Sequence, residues 1–260
     1  MTIALDPTVS ASLDGADPRS VISRAFAVLA ALDDTTSSVP LARLAERTGL
    51  PKGSLHRLCA QLVAQGAVER TNFGYRLGFR MFELGAQASS PRRLRDLALP
   101  FMSELHAATR CAVHLSVLVG PDIFVVNSVT GRAGLPFALA PGGRSCALSS
   151  ASGKAMIAYA TREVRARAIE SADCTPDVLA ELDRIAAGAA AKLWTGSSLQ
   201  AIAVPVLDRN GYSIAALSAC ARDFPPRHGQ VVDALRGAAA AIEQKLRESP
   251  GSAWHQSSSY

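Results

Sequence analysis

The stretch from Val39 to Gly78 constrains the fold of this chain more than any other. It reads VPLARLAERTGLPKGSLHRLCAQLVAQGAVERTNFGYRLG. Apolar residues recur at helical spacing on both sides of Gly49, which can take the left-handed conformation that ends one helix and turns the chain into the next. In the second helix the apolar positions form one stripe that we expect to be buried: Leu55, Leu58, Cys59 and Leu62.

Two short strands are predicted to follow the second helix, at Ala67–Arg70 and Tyr75–Leu77. Asn72, Phe73 and Gly74 supply the turn between them. Two helices followed by such a hairpin form a winged helix-turn-helix, whose second helix enters a DNA major groove. For the helical part alone, a generic helical hairpin with a solvated face is the alternative, and the wing makes it less favoured.

The face of the second helix opposite its apolar stripe carries mostly small or polar side chains. Few bulky side chains would therefore prevent the helix from entering a groove. We expect Arg57 to contact guanine or phosphate. Arg43 on the preceding helix and Arg76 on the wing are expected to reach phosphates, although an ordinary surface arginine is the alternative for the wing residue. The residues predicted to bind DNA are Arg43, Lys52, Gly53, Ser54, His56, Arg57 and Arg76.

The distribution of charge supports a DNA partner. Residues 19–95 hold 12 Lys or Arg and 5 Asp or Glu, a net charge of +7, whereas the whole chain carries +5. Residues 1–18 carry −3 and residues 96–260 carry +1. The positive excess therefore lies in the segment with the helix-turn-helix pattern, where Lys and Arg would neutralise phosphates.

Several classes of protein are disfavoured by composition. No run of about 18 apolar residues indicates a membrane span, and the acidic start MTIALDPTVSASLDGADP lacks the features of a signal peptide. The five cysteines are odd in number and show no Cys-x-x-Cys spacing, so we expect reduced thiols and a cytoplasmic location. The histidines lack zinc-ligand spacing, and we expect neither a metal nor a cofactor.

No motif in the chain is typical of an enzyme. The segment GGRSCALSSASGK lacks the glycine spacing of a phosphate-binding loop, and Ala155 follows Lys154 where such a loop has Ser or Thr. Cys111 and His114 are three residues apart on a predicted strand, so they point to opposite faces and cannot form a nucleophile–base pair. We therefore do not expect catalysis.

The rest of the chain predicts an α+β arrangement. An amphipathic helix at 20–32 should pack on the helix-turn-helix, and a helix at 78–88 leads out of the wing towards a break at 89–91. An antiparallel sheet flanked by helices is expected beyond it. The main predicted elements there are a helix at 95–109, strands at 112–119 and 123–129, a helix from 152, a hairpin at 201–207 and 212–221, and a closing helix at 228–248.

The chain resembles transcriptional regulators of the IclR family over nearly all of residues 19–248. The segments that carry the resemblance are SVISRAFAVLAAL, LARLAERTGLPKGSLHRLCAQLVAQGAVER, YRLG, PGGRSCALSSASGKAMIAY and AIAVPVLDRNGYSIAALS. The resemblance implies an N-terminal winged helix-turn-helix that binds an operator and a C-terminal domain, similar to GAF-like folds, that binds a small-molecule effector. It also implies dimers or dimers of dimers on palindromic or near-palindromic sites.

The expected organisation follows from pattern and resemblance together. Residues 1–18 form a flexible tail, 19–77 the winged helix-turn-helix domain, 78–90 a linker helix and 91–248 the effector-binding and oligomerisation domain. A second flexible tail covers 249–260. Where the family usually has Ser or Pro followed by Thr near the start of the recognition helix, this chain has Gly53 and Ser54.

An anionic effector is expected at the start of the helix near residue 152. The first amides of a helix lack partners within it and suit a carboxylate, although capping by a serine is the alternative for any single residue. Gly153 is expected to serve close packing and Lys154 a structural role. The residues predicted to contact the effector are Ser149, Ser150, Ala151 and Ser152, with Leu115, Phe137, Ala201 and Ser218 as further lining residues.

One segment departs from the family pattern. GAAAKLWTGSSLQAIAVPV lacks the usual carboxylates, and Gln200-Ala201 stands in place of an Arg-Cys pair. Trp194 either lines the site, which would suit a bulkier ligand than a small 2-oxo acid, or packs in the core. Two functions therefore remain open: a regulator whose operator affinity an effector modulates, and a DNA-binding protein whose C-terminal domain only oligomerises.

Overall fold

The computed structural model describes residues 17, 20–32, 38–87, 89–131, 139–170, 175–195, 198–222, 224 and 228–248. The chain divides into two compact units, Met1–Ser89 and Ser90–Tyr260. The predicted tails lie outside the described residues except for Asp17, and so do Phe137 and Cys174.

The N-terminal unit consists of helices around a small apolar core and a two-stranded antiparallel wing. Its elements are α1 (Val21–Ala30), α2 (Leu41–Thr48), α3 (Lys52–Ala64), β1 (Val68–Thr71), β2 (Gly74–Leu77) and α4 (Phe79–Ala86). The core draws on every element except α4: Val28, Leu44, Leu55, Cys59, Val68 and Tyr75. The order of elements confirms the predicted winged helix-turn-helix.

Local chemistry accounts for the boundaries of these elements. Gly49 ends α2 in the left-handed conformation, at φ +66°. Pro40 precedes α2 without a side-chain cap, and the nearby Ser38 hydroxyl accepts a hydrogen bond from Thr71 Oγ1 at 2.7 Å. Gly74 is required in the wing, because a Cβ atom there would lie 2.3 Å from the carbonyl oxygen of Val39.

Helix α1 only partly follows its predicted amphipathic pattern. Ser20 caps it by accepting a hydrogen bond from the amide of Ser23. Val28 and, just beyond the helix, Leu32 are buried in the core, but Val21 and Ile22 near its start are 58% and 71% exposed. The sequence predicted that the whole helix packs on the helix-turn-helix, but its first turn does not.

The C-terminal unit is a six-stranded antiparallel sheet with helices on both faces. Its elements are α5 (Ser89–Thr109), β3 (Ala112–Val119), β4 (Asp122–Val129), β5 (Arg144–Cys146), α6 (Ala151–Ala158), α7 (Arg162–Glu170), α8 (Pro176–Ala186), β6 (Ala191–Thr195), β7 (Ser198–Leu207), β8 (Ser213–Cys220) and α9 (Gly229–Glu248). The strand order is β5-β4-β3-β8-β7-β6. This confirms the predicted α+β class and antiparallel sheet.

Two features of this unit differ from the prediction: the start of α5 and the presence of β6. Helix α5 begins six residues before the expected Arg95, because proline is tolerated in a first turn and Pro91 does not break it. The predicted break at 89–91 therefore lies within the helix. Strand β6 was not predicted, since its five residues follow a run of glycine and alanine with little β propensity.

The two faces of the sheet bury different cores. One face packs against α5 and α9 through residues that include Leu94, Met102, Leu115, Leu217 and Leu235. The other packs against α6 and α8 through residues that include Ala151, Met156, Leu182, Ala203 and Ala216. Because side chains alternate along a strand, neighbouring residues of β3, β7 and β8 belong to opposite cores.

Candidate nucleic-acid interface and ligand-binding site

Helix α3 presents a polar, solvent-facing surface opposite its buried stripe. Leu55 and Cys59 are buried, whereas Lys52, Gly53, His56 and Arg57 are exposed and Ser54 is half-buried. No atom would lie within 4 Å of a Cβ atom at Gly53, so another molecule can approach the backbone closely there. The structure thus brings all the residues predicted on this helix to one end of it.

The arginines predicted to contact phosphate are in different states. Arg57 and Arg43 are exposed and make no ion pair with any described residue. Arg76 on β2 is exposed but its guanidinium lies 2.7 Å from Glu69 Oε2 across the wing, and this pairing lowers the pKa of the Glu69 carboxyl. A phosphate would therefore compete with Glu69 for Arg76. At the tip of the wing, Phe73 is 81% exposed.

Around the start of α6, the capping alternative applies to one serine. Ser150 Oγ accepts a hydrogen bond from the Gly153 amide at 3.0 Å and donates to the Ala147 carbonyl. The amide of Ser150 donates to the Ala147 carbonyl. The first two amides of the helix itself, those of Ala151 and Ser152, have no partner among the described residues. Ser149 is exposed, whereas Ser150, Ala151 and Ser152 are buried.

Gly153 and Lys154 hold this helix in place. A Cβ atom on Gly153 would lie 2.1 Å from the carbonyl oxygen of Ala147, so only glycine fits, which confirms its packing role. The buried Lys154 ammonium lies 2.8 and 2.9 Å from the two carboxylate oxygens of Glu181 and donates to the Lys192 carbonyl at 3.1 Å. Lys154 is thus committed to structure, as expected.

The structure divides the lining residues predicted on the sheet. Ala201 and Ser218 are buried on the face that packs against α6. Leu115 lies on the opposite face, in the core with α5 and α9, because it is one residue out of phase with that set on β3. This corrects its predicted place beside α6. Trp194, for which lining and core packing were both open, is 52% exposed on the edge strand β6.

Sequence reasoning missed two residues on the α6 side of β3. His114 is paired with Ser218 in the β3–β8 ladder and Ser116 with Ala216, and both are buried. His114 Nδ1 lies 3.6 Å from Cys220 Sγ. The alternation in VHLSV, with His and Ser in one phase and Val and Leu in the other, was a signal that could have found them.

The His114–Cys220 pair is electrically neutral. Burial lowers the pKa of His114 to about 4, with the Leu139 backbone acting in the opposite direction. Burial also raises the pKa of the Cys220 thiol to about 12. An imidazole and a thiol with these values do not exchange a proton near neutral pH, so the pair lacks the thiolate of a cysteine nucleophile. Cys111, as predicted, faces the other core.

The described part of the chain also shows whether the requirements for metal binding, disulfide bonding and membrane insertion are met. No group of three or more His, Cys, Asp or Glu is placed there to hold a metal ion. The four cysteines that the structure describes are free thiols: Cys59, Cys111, Cys146 and Cys220. Among the described helices, none is both long and apolar enough to cross a membrane.

Comparison with known proteins covers both units. Residues 21–72 match the IclR helix-turn-helix domain, and residues 86–244 match the C-terminal domain of bacterial IclR transcriptional regulators. The HTH-type transcriptional regulator KdgR of Dickeya chrysanthemi is 28% identical over 216 residues, which cover 78% of this chain and 70% of that protein. The glycerol operon regulatory protein of Streptomyces griseus is 27% identical over 245 residues, 86% of this chain and 95% of that protein.

A solved structure shows the same fold over most of the chain. An IclR homologue from Microbacterium hydrocarbonoxydans, crystallised in complex with 4-hydroxybenzoate, is 28% identical to this chain. The two superpose with a TM-score of 0.77, over 88% of this chain and all of the homologue.

Proposed function

This chain belongs to the IclR family of transcriptional regulators, DNA-binding proteins with a C-terminal effector-binding domain, and from that premise we propose which of its residues perform each task. Operator recognition is assigned to the exposed end of α3. The observation that carries this assignment is the solvent-facing set on α3, where Arg57 has no ion-pair partner among the described residues. Lys52, Ser54 and His56 flank it, and Gly53 allows close backbone approach.

Arg57→Ala tests the assignment. In a gel-shift experiment on DNA from upstream of the coding sequence, we expect the specific complex to weaken by about 10- to 100-fold. The melting temperature should stay unchanged because the side chain is exposed. The matched control is Arg167→Ala, an exposed arginine on α7, which should leave specific binding intact. Equal binding by both variants would remove Arg57 from the interface.

We infer that the effector carries a carboxylate that binds at the start of α6. The two partnerless amides of Ala151 and Ser152 support this, since they point out of the helix's positive end. The complex of the Microbacterium homologue with a monocarboxylate, 4-hydroxybenzoate, supports the same ligand class. If the domain only oligomerises, neither this acid nor any other carboxylate will change operator affinity.

Thermal melting with and without 4-hydroxybenzoate, repeated with operator DNA, separates these two functions. Binding of a ligand to the native state alone raises the melting temperature in proportion to the logarithm of its concentration. A shift that Ser150→Ala weakens would support the α6 site. No shift with a wider set of carboxylic acids would favour the oligomerisation role.

We also propose that the protein acts as a dimer, or a dimer of dimers, on a palindromic operator. Exposed apolar side chains on α1 and α4 support this, because exposed apolar surface is where subunits pack against each other. They are Val21, Ile22, Phe26, Phe79 and Phe82. Sedimentation equilibrium should give a mass above the 27.2 kDa of one chain, and Phe26→Ser should shift the equilibrium towards it.

Effector binding is proposed to change operator affinity through α4. This helix follows the wing directly and ends at Ala86, and α5 begins at Ser89. A coupling free energy of about 1–3 kcal/mol is enough for a 5- to 150-fold change in affinity. Inserting three glycines after Gln87 should abolish the response to the effector while DNA binding persists; an unchanged response would rule out this route.

A further inference from the structure

Strand β3 carries two buried polar atoms whose state is unusual for a folded protein. His114 is 4% exposed and Ser116 is 1% exposed. Neither His114 Nε2 nor Ser116 Oγ makes a hydrogen bond of acceptable geometry with a described residue; the Leu139 backbone lies near enough to the His114 ring to raise its pKa but does not complete such a bond. Most buried polar atoms in proteins are hydrogen-bonded, because an unpaired one loses its bond to water and gains nothing in return. Two such atoms on one strand call for a partner.

Both atoms lie on the face of the sheet that packs against α6. His114 and Ser116 are two residues apart on β3 and so point the same way. Their ladder partners on β8 are Ser218 and Ala216, and Ala216 belongs to the core that includes Ala151 at the start of α6. The two unpaired atoms therefore face the same helix as the proposed carboxylate site.

The contact with Cys220 determines what His114 offers to a ligand. The Cys220 thiol stays protonated and the imidazole stays neutral, as argued above from their burial. We assign the S–H group as the donor to His114 Nδ1, which lies 3.6 Å from Sγ, because the thiol keeps its proton. The ring proton then lies on Nε2. His114 thus presents an N–H donor, and Ser116 presents a hydroxyl that can donate or accept.

In the part of the chain that the structure describes, no uncompensated charge is buried on the α6 side of the sheet. The buried cation of α6, Lys154, is neutralised by Glu181, and His114 is uncharged near neutral pH. A second carboxylate would meet no counter-charge here and would be costly to desolvate. A neutral hydroxyl fits both groups, since its oxygen accepts from Nε2–H and its proton is donated to Ser116 Oγ.

We propose that His114 and Ser116 are specificity-determining residues that bind a hydroxyl group of the effector, so that the effector is a hydroxylated monocarboxylic acid. This inference rests on the proposed effector site at α6 and adds the second point of contact. A buried water molecule is the competing occupant, because it could satisfy the same two atoms.

The first test needs no ligand. If no partner is bound in the free protein, Ser116→Ala removes an unpaired hydroxyl and the melting temperature should stay equal or rise. The matched control is Ser213→Ala: Ser213 is equally buried, but its Oγ donates to the Met156 carbonyl at 2.7 Å, so this variant should melt several degrees lower. A similar fall for Ser116→Ala would show that chain or water already satisfies the hydroxyl, and would overturn the proposal.

The second test compares acids that differ by one hydroxyl. The probes are phenylacetate with 4-hydroxyphenylacetate, and 3-phenylpropanoate with 3-(4-hydroxyphenyl)propanoate, each assayed by calorimetry on the full chain. In at least one pair the hydroxylated acid should bind wild type at least about tenfold more tightly, since its absence leaves two buried groups unpaired. Ser116→Ala should reduce that preference to less than about threefold. Equal binding within both pairs, no binding of any probe, or an undiminished preference in the variant would each overturn the inference.

Failure of this inference can be told apart from failure of the proposed function. Operator binding by the wild-type protein without ligand tests the regulator assignment by itself, because the proposed DNA-binding residues belong to the other unit. Loss of operator binding in wild type would contradict the regulator assignment. Intact operator binding without discrimination between the paired acids would contradict only the role of His114 and Ser116.

Discussion

In the N-terminal unit the side chains assigned to binding lie in water, whereas in the C-terminal unit they lie beneath the surface. Lys52, His56 and Arg57 sit on an exposed helix face, so the fold hardly depends on them. His114 and Ser116 are buried in the sheet of the other unit, where a polar group affects stability as well as binding. Substitutions in the exposed site should therefore change the free energy of unfolding very little, whereas substitutions in the buried site can change it substantially.

Glycines in the two units give the largest expected contrast. Gly153→Ala would place a Cβ atom 2.1 Å from the Ala147 carbonyl oxygen, and neither backbone can yield without moving α6. We expect the C-terminal unit to lose at least about 3 kcal/mol of its free energy of unfolding. Gly53→Ala, with no atom within 4 Å, should be neutral or stabilise α3 by up to about 1 kcal/mol.

Urea unfolding measures both variants. Tryptophan fluorescence reports on the C-terminal unit, because both tryptophans of the chain lie in its C-terminal half, and far-ultraviolet circular dichroism reports on the helices of both units. A wild-type midpoint for Gly153→Ala would mean that the loop before α6 can move, and would break the contrast between the units.

The next largest contrast is expected between a buried ion pair in the C-terminal unit and an exposed ion pair in the N-terminal unit. Lys154→Met leaves the Glu181 carboxylate without its cation in a site where the two side chains are 10% and 25% exposed. Removing one partner of a buried pair typically costs about 3–5 kcal/mol, and because Glu181 keeps some contact with water we expect about 2–3 kcal/mol here. Arg76→Met removes an exposed partner of Glu69 on the wing and should alter the free energy of unfolding very little.

The double variant Lys154→Met, Glu181→Leu is the control for the buried pair. It removes the uncompensated charge and should recover most of the stability lost in Lys154→Met. If the single variant unfolds at the wild-type urea concentration, water reaches the pair and the description of this site as closed is wrong.

His114 makes the stability of the C-terminal unit depend on pH. Its pKa is about 4 in the folded protein, below the usual value of 6.5, so the unfolded chain binds the extra proton first as the pH falls. The contribution is fully present above about pH 6.5 and is lost as the pH drops towards 4. The loss amounts to at most about 3 kcal/mol, since each unit of pKa difference corresponds to about 1.4 kcal/mol.

The measurement is the free energy of unfolding at half-unit steps between pH 7 and pH 4.5 for wild type and His114→Gln. The wild-type slope should exceed that of the variant by up to about one proton. His56→Gln, at an exposed position on α3, controls for the loss of a histidine. Parallel curves for wild type and His114→Gln would show that the buried ring is already solvated or protonated.

The same contrast explains which features the sequence reveals. In the N-terminal unit the end of α2 at Gly49 and the turn before Gly74 depend on local backbone conformation, which a short pattern encodes. The residues proposed to bind DNA follow from this, because an exposed helix face is the complement of its apolar stripe.

The proposed ligand site of the C-terminal unit depends on contacts between residues distant in sequence. Leu115 was predicted to line the site with Ala201 and Ser218 but lies on the opposite face of the sheet, because a strand pattern alone does not say which face meets α6. His114 was weighed against Cys111, three residues away, whereas the thiol beside it is Cys220, 106 residues further along the chain. That His114 and Ser116 lack partners becomes visible only when the packed sheet is seen.

The smallest effect should come from the Glu69–Arg76 ion pair, with which we expect a DNA phosphate to compete. Glu69 holds Arg76 across the wing at 2.7 Å, so in the free protein a carboxylate occupies the place proposed for a phosphate. Glu69→Gln should free the guanidinium and strengthen binding to non-specific duplex DNA by less than about fivefold at low salt, since exposed pairs are weak. Arg76→Ala should act in the opposite direction and reduce the slope of log K against log salt by about 0.9.

A salt titration of both variants decides what Arg76 does. Opposite changes would place Arg76 on the phosphate backbone and show that the wing, like α3, binds through side chains that solvent already reaches. Weaker binding by both variants would mean that the Glu69–Arg76 pair instead shapes the hairpin. The wing would then resemble the C-terminal unit, where ionic groups such as Lys154 and Glu181 serve the structure, and the division between an exposed binding site and a buried one would no longer follow the division between the two units.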